Sequence, residues 1–244
     1  MTKGIKKSVL ITDLDNTLYD WVLVWYESFN AMLNELIKIS GLPRTQLIQD
    51  IKKVHEKHGT SEYAFVIQEI ESLQDKHPNK DINKIYKAAV DAYREARRAH
   101  LKLYPTVMET LVQLKDRGCL LIGYTESMAF YTNYRVRKLK LDNVLDILFS
   151  PEDHELPKGL SPEQLRMYPP ATYEFKHTQH KHTPPGELKP NPKILSEIIH
   201  SVGSNPDECV YVGDSLMKDI AMAQEAQVAD VHAAYGSAQH TDAY

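Results

Sequence analysis

The chain has 244 residues, a length that buries a full core and accommodates one large domain or a core carrying an insertion. Hydrophobic residues at 42% and charged residues at 25% exclude global disorder, collagen-like sequence and an extended coiled coil. A net charge of −4, from 29 Lys+Arg against 33 Asp+Glu, leaves no basic excess of the kind that binds a nucleic acid polymer. Cys119 and Cys209 lie far apart and outside any CxxC pair, so they read as reduced core thiols of a cytoplasmic protein. The apolar run that ends at Asp13 is too short for a signal peptide or a membrane span, and no membrane partner is expected.

Residues 8–12 form an apolar run of strand length, and the residues after it are polar: Asp13, Asp15, Asn16 and Thr17. Residues 21–100 then carry apolar positions at helical spacing, among them Val22, Trp25, Phe29, Met32 and Leu36, and no strand pattern. They predict an all-helical insertion of about four helices, with Trp21, Trp25 and Tyr26 as packing residues rather than a base-stacking platform. Beyond it, strand-length runs recur at 120–124, 147–149, 210–212 and 228–234, separated by helical patterns at 106–117, 127–139, 192–202 and 216–226. This alternation makes an α/β core with a parallel sheet, built from residues 1–20 and 101–244.

Residues 151–188 break the alternation. They hold seven of the thirteen prolines and the histidines His177, His180 and His182, and they read as an irregular insertion. The histidines lack an acidic or cysteine partner at ligand spacing, so an exposed polar loop is the plainer reading of them than a second metal site.

In a parallel sheet, ligands gather at the carboxyl ends of strands, where loops and helix N-termini present unpaired N–H groups. Asp13 and Asp15 follow the first strand, Thr125 ends the second, and Asp214 ends the run at 210–212 with Asp219 five residues on. Lys189 stands just before a helix that starts at Pro192. Each alone has an ordinary explanation as a turn, cap or solvated residue. Together they place three aspartates, a threonine and a lysine at strand ends or the following helix starts.

These residues, from Asp13-Leu14-Asp15-Asn16-Thr17-Leu18-Tyr19 through Thr125 and Lys189-Pro190-Asn191-Pro192 to Gly213-Asp214-Ser215 and Asp219, resemble the four ordered motifs of the haloacid dehalogenase-like (HAD) hydrolase superfamily. The resemblance implies a Rossmann-like core and a helical cap of the C1 type formed by residues 21–100, which closes over the active site. It also implies Asp13 as the nucleophile that attacks phosphorus and Asp15 as the general acid and base. Thr125 and Lys189 are implied as holders of the phosphoryl oxygens. Asp13, Asp214 and the backbone carbonyl of Asp15 are implied as Mg²⁺ ligands, with Asp219 in support. An all-oxygen set suits Mg²⁺ better than Zn²⁺.

The resemblance further implies a reaction on small phosphorylated metabolites, by a monomer or homodimer. Asp15 argues against dehalogenation, because halide leaves without a proton whereas an alkoxide needs one. The form of the first motif is similar to that of pyrimidine 5′-nucleotidases. A phosphomutase and a catalytically idle binding or regulatory module are the alternatives, and Lys158 is a rival to Lys189.

Overall fold

The computed structural model describes residues 7–153 and 168–237. In chain order, β1 (Val9–Thr12) is followed by α1 (Trp21–Ser40), α2 (Arg44–His58), α3 (Val66–Glu69), α4 (Glu71–Lys76), α5 (Ile82–Ile85) and α6 (Lys87–His100). Then come α7 (Val107–Asp116), β2 (Leu120–Tyr124), α8 (Ala129–Lys138), β3 (Ile147–Ser150), β4 (Gln179–His182), α9 (Pro192–Ser201) and β5 (Cys209–Gly213). A π-helical turn (Leu216–Ile220), α10 (Ala221–Glu225) and β6 (Ala229–His232) complete the order. Residues 7–21 with 101–237 make one compact unit and residues 22–100 another.

In the first unit the six strands form one parallel sheet in the order β4-β3-β2-β1-β5-β6. Central parallel strands are covered on both faces and so read as continuous apolar runs. Val9 and Ile11 of β1, Ile122 and Tyr124 of β2 and Tyr211 of β5 join one buried cluster with Leu195, Ile198 and Ile199 of α9 and Met222 and Ala223 of α10. The start of α9 is fixed locally. Pro192 occupies the first turn, where its missing N–H is no loss, and the Asn191 side chain accepts from the Ile194 N–H at 3.1 Å.

Two features differ from the sequence reading of this unit. The segment 151–188 is not wholly irregular, because β4 lies in it and extends the sheet by pairing with β3 from Ile147↔Gln179 to Ser150↔His182. Its register is set upstream. The Asp142 carboxylate accepts from the backbone N–H groups of Lys176, His177 and Thr178 at 2.9, 3.1 and 2.9 Å, and the Thr178 hydroxyl donates to the Leu145 carbonyl. An edge strand has neighbours on one side only, so the sequence Gln179-His180-Lys181-His182 needs no apolar run. His180 contacts the Ser150 hydroxyl at 2.8 Å, and burial, with His182 nearby, lowers its pKa to about 4, while His177 and His182 are exposed. The second difference is that the predicted helix 216–226 opens as a π-helical turn.

The second unit packs Phe29, Met32, Leu33 and Leu36 of α1 and Leu47, Ile51 and Val54 of α2 as buried apolar residues at helical spacing. Trp25 is buried, stacks on Phe29 with ring centroids 5.0 Å apart and donates from its indole to the Ser61 carbonyl at 3.0 Å, so it is a packing residue. Where the sequence predicts about four helices the second unit is more broken: Ile70 is extended between α3 and α4, and Tyr86 interrupts α5 and α6. Among the described residues, no helix is long and apolar enough to cross a membrane.

Candidate active site

Three neighbouring strands, β2, β1 and β5, are followed at once by Thr125, Asp13 and Asp214. The Asp13 N–H donates to the Val212 carbonyl at 2.8 Å and the Thr125 N–H to the Phe149 carbonyl at 3.0 Å, which carries the ladder one residue past each strand. Adjacent strands run about 4.8 Å apart, so these three side chains are forced into one neighbourhood.

Lys189 enters this neighbourhood from the chain ahead of α9. It is only 5% exposed, and its ammonium donates to Asp13 Oδ1 at 2.5 Å, Asp219 Oδ1 at 3.0 Å and the Tyr124 carbonyl at 3.0 Å. Its burial opposes the charge, but the Asp13 carboxylate beside it and Asp219 hold its pKa well above the ordinary lysine value. Asp219 is held in turn: Tyr211 donates to Oδ1 at 2.8 Å and the Ser215 N–H to Oδ2 at 3.1 Å. Asp219 packs so closely on β5 that a side chain at Gly213 would collide with it, which accounts for glycine before Asp214. Thr17 donates to Asp13 Oδ2 at 3.1 Å and approaches Asp214 Oδ1 at 3.5 Å.

Asp15 sits in a separate cradle of donors. Its Oδ1 accepts from Tyr19 Oη at 2.6 Å and Arg135 Nη1 at 3.2 Å, while its Oδ2 accepts from Ser127 Oγ at 2.7 Å and Thr125 Oγ1 at 3.2 Å. Arg135 is 1% exposed and also donates to Ser127 Oγ at 2.9 Å. Glu126 joins two segments at the rim, accepting from the Lys189 N–H at 2.9 Å and from the Lys218 ammonium at 2.6 Å.

Three carboxylates share one ammonium here. Asp13, Asp214 and Asp219 each offer a carboxylate oxygen, all within 4.8 Å of one another. Burial pushes the Asp13 carboxyl upward, with Asp219 and Asp15 adding to the effect and Lys189 opposing it. Burial and then Asp219 push Asp214 to about 6. One ammonium among three crowded carboxylates, with oxygen donors only, fits a hard divalent cation such as Mg²⁺, whose usual ligands are carboxylates, carbonyls and water.

This crowding has a measurable consequence. A folded-state pKa raised from 3.8 to about 6 means that the native protein holds the Asp214 proton more tightly than the unfolded chain. The cost of ionising Asp214 therefore grows as pH rises through that interval and is complete above it. A divalent cation at these carboxylates would bind their ionised form, so if Mg²⁺ occupies the site, thermal melts should show it raising Tm more at pH 7.5 than at pH 5. An equal rise at both pH values would contradict a carboxylate cation site.

The structure thus brings together Asp13, Asp15, Thr125, Lys189, Asp214 and Asp219, all of which the sequence singled out, whereas Lys158 lies outside the described residues. Sequence reasoning missed Arg135, Ser127, Tyr19 and Tyr211. A signal for the first was present: Arg135 shares a helix stripe with Thr132 and Leu139, all three buried, and a charge on such a stripe implies a buried partner.

Residues 10–163 match the family described as haloacid dehalogenase-like hydrolase, and residues 188–244 match the one described as HAD-hydrolase-like. The chain is 28% identical over 239 residues to a glyceraldehyde 3-phosphate phosphatase from Methanopyrus kandleri, covering 96% of this chain and 86% of that one. In fold it is similar to a haloacid dehalogenase-like family hydrolase from Xanthomonas campestris, with a TM-score of 0.57, 13% identity and coverage of 97% of this chain and 86% of the other. It is also similar to 2-haloacid dehalogenase from Pseudomonas syringae, with a TM-score of 0.54, 18% identity and coverage of 98% and 90%. With the sheet order, the strand-end carboxylates and a matched region that takes in most of the chain, the protein belongs to the haloacid dehalogenase-like hydrolase family.

Proposed function

We propose that this hydrolase cleaves phosphoric monoesters of small metabolites with the help of Mg²⁺, through an aspartyl-phosphate formed on Asp13. One observation carries the reading. Asp13 has Lys189 on one carboxylate oxygen and Thr17 on the other, lies within 4.8 Å reach of Asp214 and Asp219, and is followed two residues later by a second carboxylate in its own cradle. A lone structural ion pair needs neither the additional acids nor the second carboxylate.

In this scheme an oxygen of Asp13 attacks phosphorus and the bond to the leaving oxygen breaks, with Asp15 giving that oxygen its proton. Asp15 then takes a proton from water, the water oxygen attacks phosphorus, and inorganic phosphate leaves Asp13 free. Thr125 and Lys189 hold the phosphoryl oxygens, so that developing charge meets fixed donors and an ammonium. Asp13, Asp214 and the backbone carbonyl of Asp15 would hold Mg²⁺, which would supply the positive charge that lets a carboxylate approach a phosphate anion. Asp219 holds Lys189 in place, and the helical insertion takes the part of the family's cap.

The relative from Methanopyrus kandleri is named for glyceraldehyde 3-phosphate, which makes short phosphorylated carbonyl and polyol compounds the first substrate class. Nucleoside monophosphates, suggested by the form of the first motif, are the second. A panel of both, assayed for phosphate release with Mg²⁺ and with EDTA, tests the proposal. Release from at least one class that stops in EDTA and returns with Mg²⁺ is expected. Full activity in EDTA overturns the metal assignment, transfer to a second substrate hydroxyl marks a phosphomutase, and no release from either class favours the non-catalytic alternative.

A further inference from the structure

We infer that Arg135 and Tyr19 are positioning residues that anchor Asp15 by its Oδ1 and leave Oδ2 as the oxygen that carries the proton. The inference rests on the acid–base role proposed for Asp15 and adds which oxygen acts and what holds the other. The four donors on Asp15 fall into two pairs, linked where Arg135 also donates to Ser127 Oγ at 2.9 Å. Oδ1 takes Tyr19 Oη at 2.6 Å and Arg135 Nη1 at 3.2 Å, both from side chains about 1% exposed. Oδ2 takes Ser127 Oγ at 2.7 Å and Thr125 Oγ1 at 3.2 Å, both from the turn after β2.

The two pairs differ in what else they can do. A hydroxyl has a single proton to donate, so a phosphoryl oxygen that engages Thr125 takes that donor away from Oδ2. Ser127 stands in the same turn, with its N–H bonded to Thr125 Oγ1 at 3.0 Å, and its hydroxyl is open to the same exchange. Binding of the phosphoryl group at Thr125 therefore takes a donor from Oδ2 at the moment it is needed to give or take a proton. The donors on Oδ1 are held differently, because the Arg135 guanidinium is 1% exposed and lies over the Tyr19 and Tyr131 rings, 6.0 and 5.6 Å from their centroids, where packing fixes it. Arginine also stays protonated throughout, so Arg135 holds the carboxylate in place without exchanging a proton with it.

The test is the leaving-group dependence of Arg135→Met and Tyr19→Phe, with Arg135→Lys as the conservative variant and Asp15→Asn as reference. An alkyl phosphate needs its leaving oxygen protonated and an aryl phosphate hardly does. Arg135→Met should lose at least about tenfold more kcat on the alkyl than on the aryl ester, with KM changed less than about threefold on either, and Arg135→Lys should recover part of it. Tyr19→Phe, which removes one hydroxyl and keeps the ring, should show the same selectivity to a smaller degree and keeps the inference testable if Arg135→Met fails to fold. Combining Arg135→Met or Tyr19→Phe with Asp15→Asn should add no further selective loss.

If Asp15→Asn itself loses equally on both esters, the acid–base reading has failed and the inference falls with it. If Asp15→Asn is selective while both Arg135→Met and Tyr19→Phe lose equally on the two esters, or change only KM, the acid–base reading stands. The positioning role is then wrong. Where Arg135→Met does not fold, an unselective Tyr19→Phe alone overturns it.

Discussion

Asp13→Asn should abolish phosphate release, with kcat reduced on the order of 10³-fold or more and the fold unchanged. An amide oxygen is a poor nucleophile and carries no charge to pair with Lys189 or a cation. The substitution should be tolerated structurally for two reasons. Asparagine keeps one oxygen, which can accept from Lys189 while its amide N–H₂ faces the Thr17 hydroxyl, and it removes a charge whose burial near Asp219 and Asp15 raises the Asp13 pKa. Lys189 keeps Asp219 and the Tyr124 carbonyl as partners. Steady-state kinetics beside a thermal melt check this: near wild-type turnover would remove Asp13 from the chemistry, and lost activity with an unchanged melt would place it there.

Asp15→Asn should lose roughly 10²–10⁴ in kcat on alkyl phosphates and much less on aryl or acyl phosphates, whose leaving groups depart without a proton. The asparagine can still accept at Oδ1 from Tyr19 and Arg135, so substrate binding should be little changed and the loss should fall on kcat. In the proposed mechanism Asp15 also takes the proton from the attacking water in the second step, so good leaving groups should show a burst of the released alcohol followed by slow turnover. Equal losses on all esters, without a burst, would assign Asp15 a purely structural part.

The legible parts of this molecule are those where chemistry and pattern coincide. The strands that place Asp13, Thr125 and Asp214 are central, covered on both faces, and written as short apolar runs that stop at polar residues. β4 is an edge strand whose register is set by Asp142, and its sequence carries no period that sets it apart from a loop. Lys189 was legible through its Lys-Pro-Asn-Pro setting and its order among the other motifs, although nothing in that setting announces a lysine 5% exposed. Arg135 and Ser127 were not read as partners of Asp15, because they lie 120 and 112 positions from it and tertiary packing creates the contacts, whereas Tyr19 is only four residues away and was read as part of the motif alone. The π-helical turn that delivers Asp219 to Lys189 looked like the first turn of an ordinary helix, and the close approach of Asp219 to Gly213 explains the departure only once the fold is known.

The central claim is that the phosphoryl group passes through Asp13. Acid quenching of the protein during turnover of a substrate with a good leaving group, followed by peptide mass analysis, tests it directly. Wild-type protein with Mg²⁺ should carry a phosphoryl adduct on the peptide that contains Asp13, at higher occupancy in Asp15→Asn, where its hydrolysis is slowed, and absent from Asp13→Asn. An adduct on any other residue, or turnover by Asp15→Asn with a burst of product and no adduct at Asp13, would contradict the account.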